Sequence, residues 1–192
     1  MSGTPGHHAA SGADTGAELV DVVDDDDRVV ATVTRREMRS RRLRHRAVFI
    51  IVTSSTGELL VHRRSEHKDL WPGRWDIGVG GVVGAGESYE AAGERELAEE
   101  VGVVGVVPAY VADGRYADAD VDLVARAFRV VHDGPFRFAD GEVVEARWVD
   151  AAGLVDLIAT ESFVPDSLTL LPIEVLFPVR FPFPAPGDPQ GR

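Results

Sequence analysis

Three glutamates, Glu96, Glu99 and Glu100, stand at i, i+3 and i+4. On a helix, at about 100° per residue, that spacing gathers them into an arc of roughly 100° on one face. Three like charges on one face repel, so the arrangement costs stability unless a cation sits between them. Ligands that are all oxygen select a hard divalent ion such as Mg²⁺ or Mn²⁺ over zinc or copper. Glu87, in the loop before, can turn back toward the same face. Arg95 adds a fixed positive charge that can pair with one of the acids and orient it. The bland alternative is a solvated acidic face relieved by Arg95.

The elements that must position these side chains can be read from the flanks. Tyr89–Val101 has the pattern of a helix, with Ser88 as its cap and Gly102 just past its end. Ile77–Val83 before it carries Gly78, Gly80 and Gly81, so a strand there lets backbone approach something closely. Leu19–Val23 and Arg28–Val33 read as an N-terminal β-hairpin around the turn Asp24–Asp27, either a solvated loop or a cation site. Thr34 caps a short helix over Arg35–Leu43, with Glu37 completing a capping box. Ala47–Thr53, Glu58–Arg64, Val103–Val107, Ala109–Ala112, Val121–Val131 and Val143–Val149 are further strands. Asp150 caps a helix over Ala151–Ala159, and Pro165–Phe177 holds another, interrupted by Pro172. Strands and helices in this order predict an α/β fold, a mixed sheet sandwiched by helices.

Between Gly81 and Val103 the chain reads GVVGAGESYEAAGERELAEEVGV. Gly81, Glu87, Arg95, Glu96, Leu97, Glu99, Glu100, Gly102 and Val103 occupy the specified positions of the Nudix box: Gly, five residues, Glu, seven residues, Arg-Glu, an aliphatic, any residue, Glu-Glu, any residue, Gly, an aliphatic. The stretch therefore resembles the Nudix hydrolases. The resemblance implies an α/β/α sandwich, here with the N-terminal hairpin as an extension, and a box that binds divalent cations on a diphosphate. It implies hydrolysis of a nucleoside diphosphate linked to another moiety. By the same resemblance Glu87, Glu96, Glu99 and Glu100 are the metal ligands, with Glu99 and Glu100 also catalytic, and Arg95 orients a glutamate. The general base varies in this family. Glu99, Glu100, or an acid on a later loop, Glu142 or Glu145 just before Trp148, can serve.

A finer likeness lies upstream. Leu59-Leu60-Val61-His62-Arg63-Arg64, Lys68, Trp71-Pro72-Gly73 and Trp75 are similar to the substrate-side segment of isopentenyl diphosphate isomerases, which share the fold. That likeness assigns Arg63, Arg64 and Lys68 to the diphosphate; Gly81, at the head of the box, is a further candidate substrate contact. Isomerase activity itself is disfavoured. The catalytic cysteine of that group aligns with Gly80 and a metal-binding histidine with Val82, while His45 aligns loosely with another ligand. The isomerase-like reading and a non-catalytic nucleotide-binding sensor stand as the alternatives. Proton exchange between the two isoprenoid diphosphates separates the first, and tight binding without turnover the second.

Composition bounds the rest. The 192 residues fit one domain. We place a disordered leader at 1–17, with His7 and His8 incidental, the domain at 18–178 and a proline-rich tail at 179–192. A net charge of −12 argues against coating nucleic acid. One basic run departs from this: Arg35, Arg36, Arg39, Arg41, Arg42, Arg44 and Arg46. It can grip phosphate or RNA, or form a solvated face, but no aromatics interleave it as single-strand binding favours. The absence of cysteine excludes disulfides, thiolate metal sites and a thiol nucleophile. No apolar run is long enough to span a membrane, so a soluble, cytoplasmic protein is expected. The substrate-reading loops are placed at Asp113–Asp120 and His132–Ala139, and Trp71, Trp75 or Tyr116 can stack on a base or pack in the core. A homodimer is left open, with the hairpin able to lie across a partner.

Overall fold

The computed structural model describes residues 15–138 and 141–173. Residues 1–14 of the expected leader, and the whole proline-rich tail, lie outside the described residues; Thr15–Ala17 form a 3-10 turn. The elements run β1 (Leu19–Val23), β2 (Val29–Thr34), α1 (Arg35–Ser40), β3 (His45–Thr53), β4 (Leu59–Arg64), β5 (Trp75–Asp76), β6 (Val79–Val82), α2 (Tyr89–Val101), β7 (Ala109–Ala117), β8 (Asp122–Val131), β9 (Val143–Val149), α3 (Ala151–Thr160) and α4 (Pro165–Leu170).

β3 is the centre, and its sequence explains why. Every residue from Ala47 to Thr53 is buried, the pattern of a strand covered on both faces. Alternation divides those side chains between two cores. Ala47, Phe49 and Ile51 pack with Leu154 and Leu157 of α3. Val48, Ile50 and Val52 pack with Ala92, Leu97 and Val101 of α2. β3 runs parallel to β8 and antiparallel to β6. β7 extends the sheet beyond β8. A second ladder, β9–β4–β5, joins β3 through the single pairing Thr53–Leu59. The expected mixed sheet between helices is what forms.

Several local expectations need correction. Val103–Val107 is not a strand; Val104 and Val107 are exposed, with no strand beside them to complete a ladder. β7 continues to Ala117 through most of the segment expected as a substrate loop, because Asp113 to Ala117 pair residue by residue with β8. The capping box of α1 is half made. Thr34 accepts from the Glu37 N–H at 3.2 Å, but the Glu37 carboxylate turns to Arg41 at 2.5 Å. α1 stops at Ser40, three residues early. α4 ends at Leu170, ahead of Pro172, whose ring disfavours helix at the residue before it; residues beyond 173 of that expected helix lie outside the described residues.

The hairpin β1–β2 braces the loop that precedes α2. The Ala85 N–H donates to the Leu19 carbonyl at 2.9 Å. The Gly86 N–H donates to Asp21 Oδ2 at 2.9 Å. Its acidic turn meets the basic run: Arg44 pairs with Asp25 and Asp122, and Arg46 with Asp27 at 2.7 Å. Asp25 and Asp27 of the turn are thus paired with arginines of the basic run, while Asp25 and Asp26 stay exposed.

Candidate active site

α2 forms where its caps require it. Ser88 accepts from the Ala91 N–H at 3.1 Å. Gly102 closes the other end at φ +71°, where a side chain would be strained. One face buries Leu97 and Val101 against the sheet. The adjacent stripe presents Glu96 and Glu100, one turn apart and both buried. Glu99 stays exposed.

The glycines of β6 make room for these carboxylates. The Gly80 N–H donates to Glu100 Oε2 at 3.3 Å. A Cβ on Gly81 would come within 3.0 Å of the Glu96 carboxylate. Both acids therefore open onto a cavity of about 770 Å³, whose wall includes Gly80, Gly81, Lys68, Glu87, Arg95 and Glu142.

Arg95 organises the acidic end. Its Nε and Nη2 donate to the two oxygens of Glu87 at 3.0 Å each. Nη1 reaches Glu96 at 2.7 Å and Glu99 at 3.2 Å. Nη2 also donates to the Val82 carbonyl at 3.1 Å. Glu87 additionally accepts from the Gly84 N–H at 2.8 Å. Burial pushes the Glu87 carboxyl up, but Arg95 and Gly84 outweigh it and the net shift is down. Burial dominates for Glu96, which is raised despite Arg95. It dominates more for Glu100, pushed up to about 8 even with Lys68 Nζ at 3.4 Å. Lys68 also pairs with Glu142.

Among the described residues, no group of three or more His, Asp or Glu side chains is gathered as a metal ion would gather them. Arg95 and Lys68 hold the carboxylates instead. The donor set nevertheless fits a hard dication. It is all carboxylate, two of its members are buried and raised by that burial, and a glycine leaves space beside one of them.

The structure brings Glu87, Arg95, Glu96, Glu99, Glu100, Gly81, Arg64 and Lys68 to this one cavity. It does not bring Arg63 or Glu145 there. These two are cross-strand partners on β4 and β9. They pair at 3.6 Å, with Glu145 also holding Arg147 at 2.8 Å. Alternation sends them to the side opposite Arg64. Of the two late acids it is Glu142, at the approach to β9, that lines the cavity. Trp75 is core, with Arg147 over its ring at 4.3 Å. Trp71 lines the cavity, edge-on to Tyr116. His45 is buried and bonded to the Leu43 carbonyl. The sequence reading missed that Arg35, Arg39, Asp76 and Asp166 reach the same wall.

This loop–helix box beside a mixed sheet is the architecture of one family, and comparison with known proteins agrees. The NUDIX domain model matches residues 43–171. The chain is 38% identical over 154 residues to a protein of Yersinia pestis named an uncharacterized Nudix hydrolase, covering 80% of this chain and 84% of that one. It is 36% identical over 165 residues to an uncharacterized Nudix hydrolase of Pseudomonas aeruginosa, covering 86% and 95%. The crystal structure of DR0079 from Deinococcus radiodurans matches with a TM-score of 0.64 at 28% identity, over 78% of this chain and 94% of that one. The chain belongs to the Nudix family, and its relatives are hydrolases by name. No helix among the described residues is long and apolar enough to cross a membrane.

Proposed function

We propose that the chain is a Mg²⁺- or Mn²⁺-dependent hydrolase that opens the diphosphate linkage of a nucleoside diphosphate joined to another group, or of a similar organic diphosphate. The observation that carries this reading is the pair of buried carboxylates, Glu96 and Glu100, facing one cavity across Gly80 and Gly81. Glu96, Glu99 and Glu100, with Glu87 beside them, are the residues that would hold the cation. When bound it neutralises the diphosphate and lowers the pKa of water. Arg95 fixes Glu87 and Glu96 so that their oxygens stay in register. Lys68 presents its cation to the diphosphate from the wall it shares with Glu100 and Glu142. Glu142, on that wall with Lys68, takes the proton of the attacking water, the role for which Glu145 is wrongly placed.

The isomerase-like alternative lacks its proton donor. A side chain at position 80 would collide with the Val48 carbonyl on this backbone. The likeness to isomerases is thus confined to the wall carrying Arg64 and Lys68.

The test is a metal-supplemented screen of nucleotide sugars, dinucleoside polyphosphates, NADH, coenzyme A, prenyl diphosphates and nucleoside triphosphates. Turnover should vanish with EDTA and return with Mg²⁺ or Mn²⁺. Glu100→Gln should lower kcat by about 10²–10⁴-fold. Undiminished turnover in that variant, or none across the panel with wild type, refutes the hydrolase.

A further inference from the structure

The diphosphate chemistry occupies one end of the cavity and leaves the other unexplained. Arg35 and Arg39, from α1, and Arg64, from the end of β4, line that other end. Each keeps a buried Nε–H with no acceptor among the described residues. A buried donor without a protein acceptor is costly and uncommon in folded proteins, so three along one cavity require a reason.

The remaining arginines of the basic run are used differently. Arg44 and Arg46 hold the acidic turn, Arg41 holds Glu37, and Arg42 donates to the Asp118 carbonyl. Arg35 and Arg64 are partly paired, with Glu18 at 3.2 Å and Asp76 at 3.6 Å. The Arg39 guanidinium makes no side-chain hydrogen bond or ion pair among the described residues. Burial, then the charge of Arg35, brings it down to about 10. His45 beneath it is pushed down to about 4, by burial first and Arg39 second. Asp69 and Asp166 act on Arg39 through their charge, and neither is bonded to it.

We propose that Arg35, Arg39 and Arg64 receive a second anionic group of the substrate, a phosphate monoester carried at the far end of the molecule from its scissile diphosphate. The assignment rests on the hydrolase reading for the word substrate, but the site itself does not. A phosphate monoester fits better than a carboxylate. Three forks approach from two different elements, and a tetrahedral dianion accepts from several directions where a carboxylate accepts in one plane. The far end follows from the charges between. Glu96 and Glu100 close the cavity on one side, and Lys68, bonded to Glu100 and Glu142, stands with them.

The test uses matched pairs that differ only in such a phosphate: coenzyme A against dephospho-coenzyme A, and 2′-phospho-ADP-ribose against ADP-ribose. In wild type the phosphorylated member of at least one pair should be favoured in kcat/KM by about tenfold or more, the worth of a charge-assisted hydrogen bond. Arg39→Met should bring that ratio to about one. A second measurement is made without metal. Adenosine 3′-monophosphate, but not adenosine, should raise the Tm of the EDTA-treated wild type and not that of Arg39→Met. Arg35→Gln serves in the same assays if Arg39→Met does not fold. No preference in wild type, or the same preference in the variant, overturns the proposal. An equal loss on both members of a pair also overturns it, because the arginines then hold the diphosphate itself. Stabilisation by succinate and not by phosphate overturns the choice of anion. If wild type hydrolyses nothing yet shows the Arg39-dependent shift, the anion site stands and the hydrolase reading fails.

Discussion

The two ends of the cavity are both strongly charged, yet they differ in how far the side chains satisfy each other's hydrogen bonds. At the α2 end, Arg95 donates to Glu87, Glu96, Glu99 and the Val82 carbonyl. Lys68 covers Glu100 and Glu142. At the α1 end, the buried Nε–H groups of Arg35, Arg39 and Arg64 have no acceptor among the described residues. A network whose members satisfy each other holds geometry before a ligand arrives. A set of charges left unsatisfied holds energy that a ligand can release. The first arrangement suits residues that must stay in register, the second residues that must bind and let go.

The largest difference between the ends should appear when one arginine is removed from each. Arg95→Met strands Glu87 and Glu96, so it should destabilise the fold by on the order of 2 kcal/mol. That figure is below the loss for a fully buried pair, because the Arg95 side chain is 34% exposed and water screens it. Arg39→Met removes a desolvated cation that has no bonded partner among the described residues, only the more distant charges of Asp69 and Asp166. It should leave stability level or raise it slightly. Urea midpoints in metal-free, phosphate-free buffer compare the two. Equal losses would erase the contrast between the ends.

That contrast also marks what the sequence could reveal. The acidic end lies on one helix, where spacing alone gathers Glu96, Glu99 and Glu100 and cap residues mark both ends. Central strand β3 is legible for the same reason, since its apolar run needs no distant partner to be recognised. The arginine end is built from α1 and β4, which only the tertiary fold brings together. Within the run from Arg35 to Arg46, nothing local says that Arg35 and Arg39 turn inward while Arg44 and Arg46 turn to the acidic loop. Helix length decided it: α1 stops at Ser40, so residues after it leave the helical register. Likewise Glu142 and Glu145 look alike in sequence, and the alternation of β9 against β4 separates them. The box could be recognised at once because it is local; the rest of the cavity could not.

A smaller effect should distinguish the two adjacent glycines at the acidic end. A Cβ on Gly80 meets the backbone carbonyl of Val48, and one on Gly81 meets only the Glu96 side chain. Backbone cannot step aside without breaking the β3–β6 ladder, whereas a carboxylate can swing. Gly80→Ala should therefore cost about 1–3 kcal/mol of stability. Gly81→Ala should cost little stability but move Glu96, lowering kcat about tenfold or more. Melting curves and steady-state kinetics on both variants decide it. A stability loss at Gly81 as large as that at Gly80 would mean that Glu96 is packed rather than poised.

The smallest effect is one of pH, and two groups, Glu100 and His45, should answer it with opposite signs. Burial raises Glu100 to about 8, so in the metal-free protein its contribution to stability is fully present below the ordinary carboxylate pKa. That contribution is lost as pH rises toward 8. Burial and Arg39 depress His45 to about 4, so its contribution is fully present above the ordinary imidazole pKa near 6.5. It is lost as pH falls through that window toward 4. Between pH 6.5 and 8 only Glu100 of these two changes. Metal-free Tm should therefore fall over that interval in wild type and stay flatter in Glu100→Gln. Between pH 6.5 and 4 the two groups oppose each other, so Glu100→Gln, which removes the gain, should lose Tm more steeply with acid than wild type. If Glu100→Gln leaves both slopes unchanged, the acidic end is already neutralised by Lys68, and the need for a cation there disappears with it.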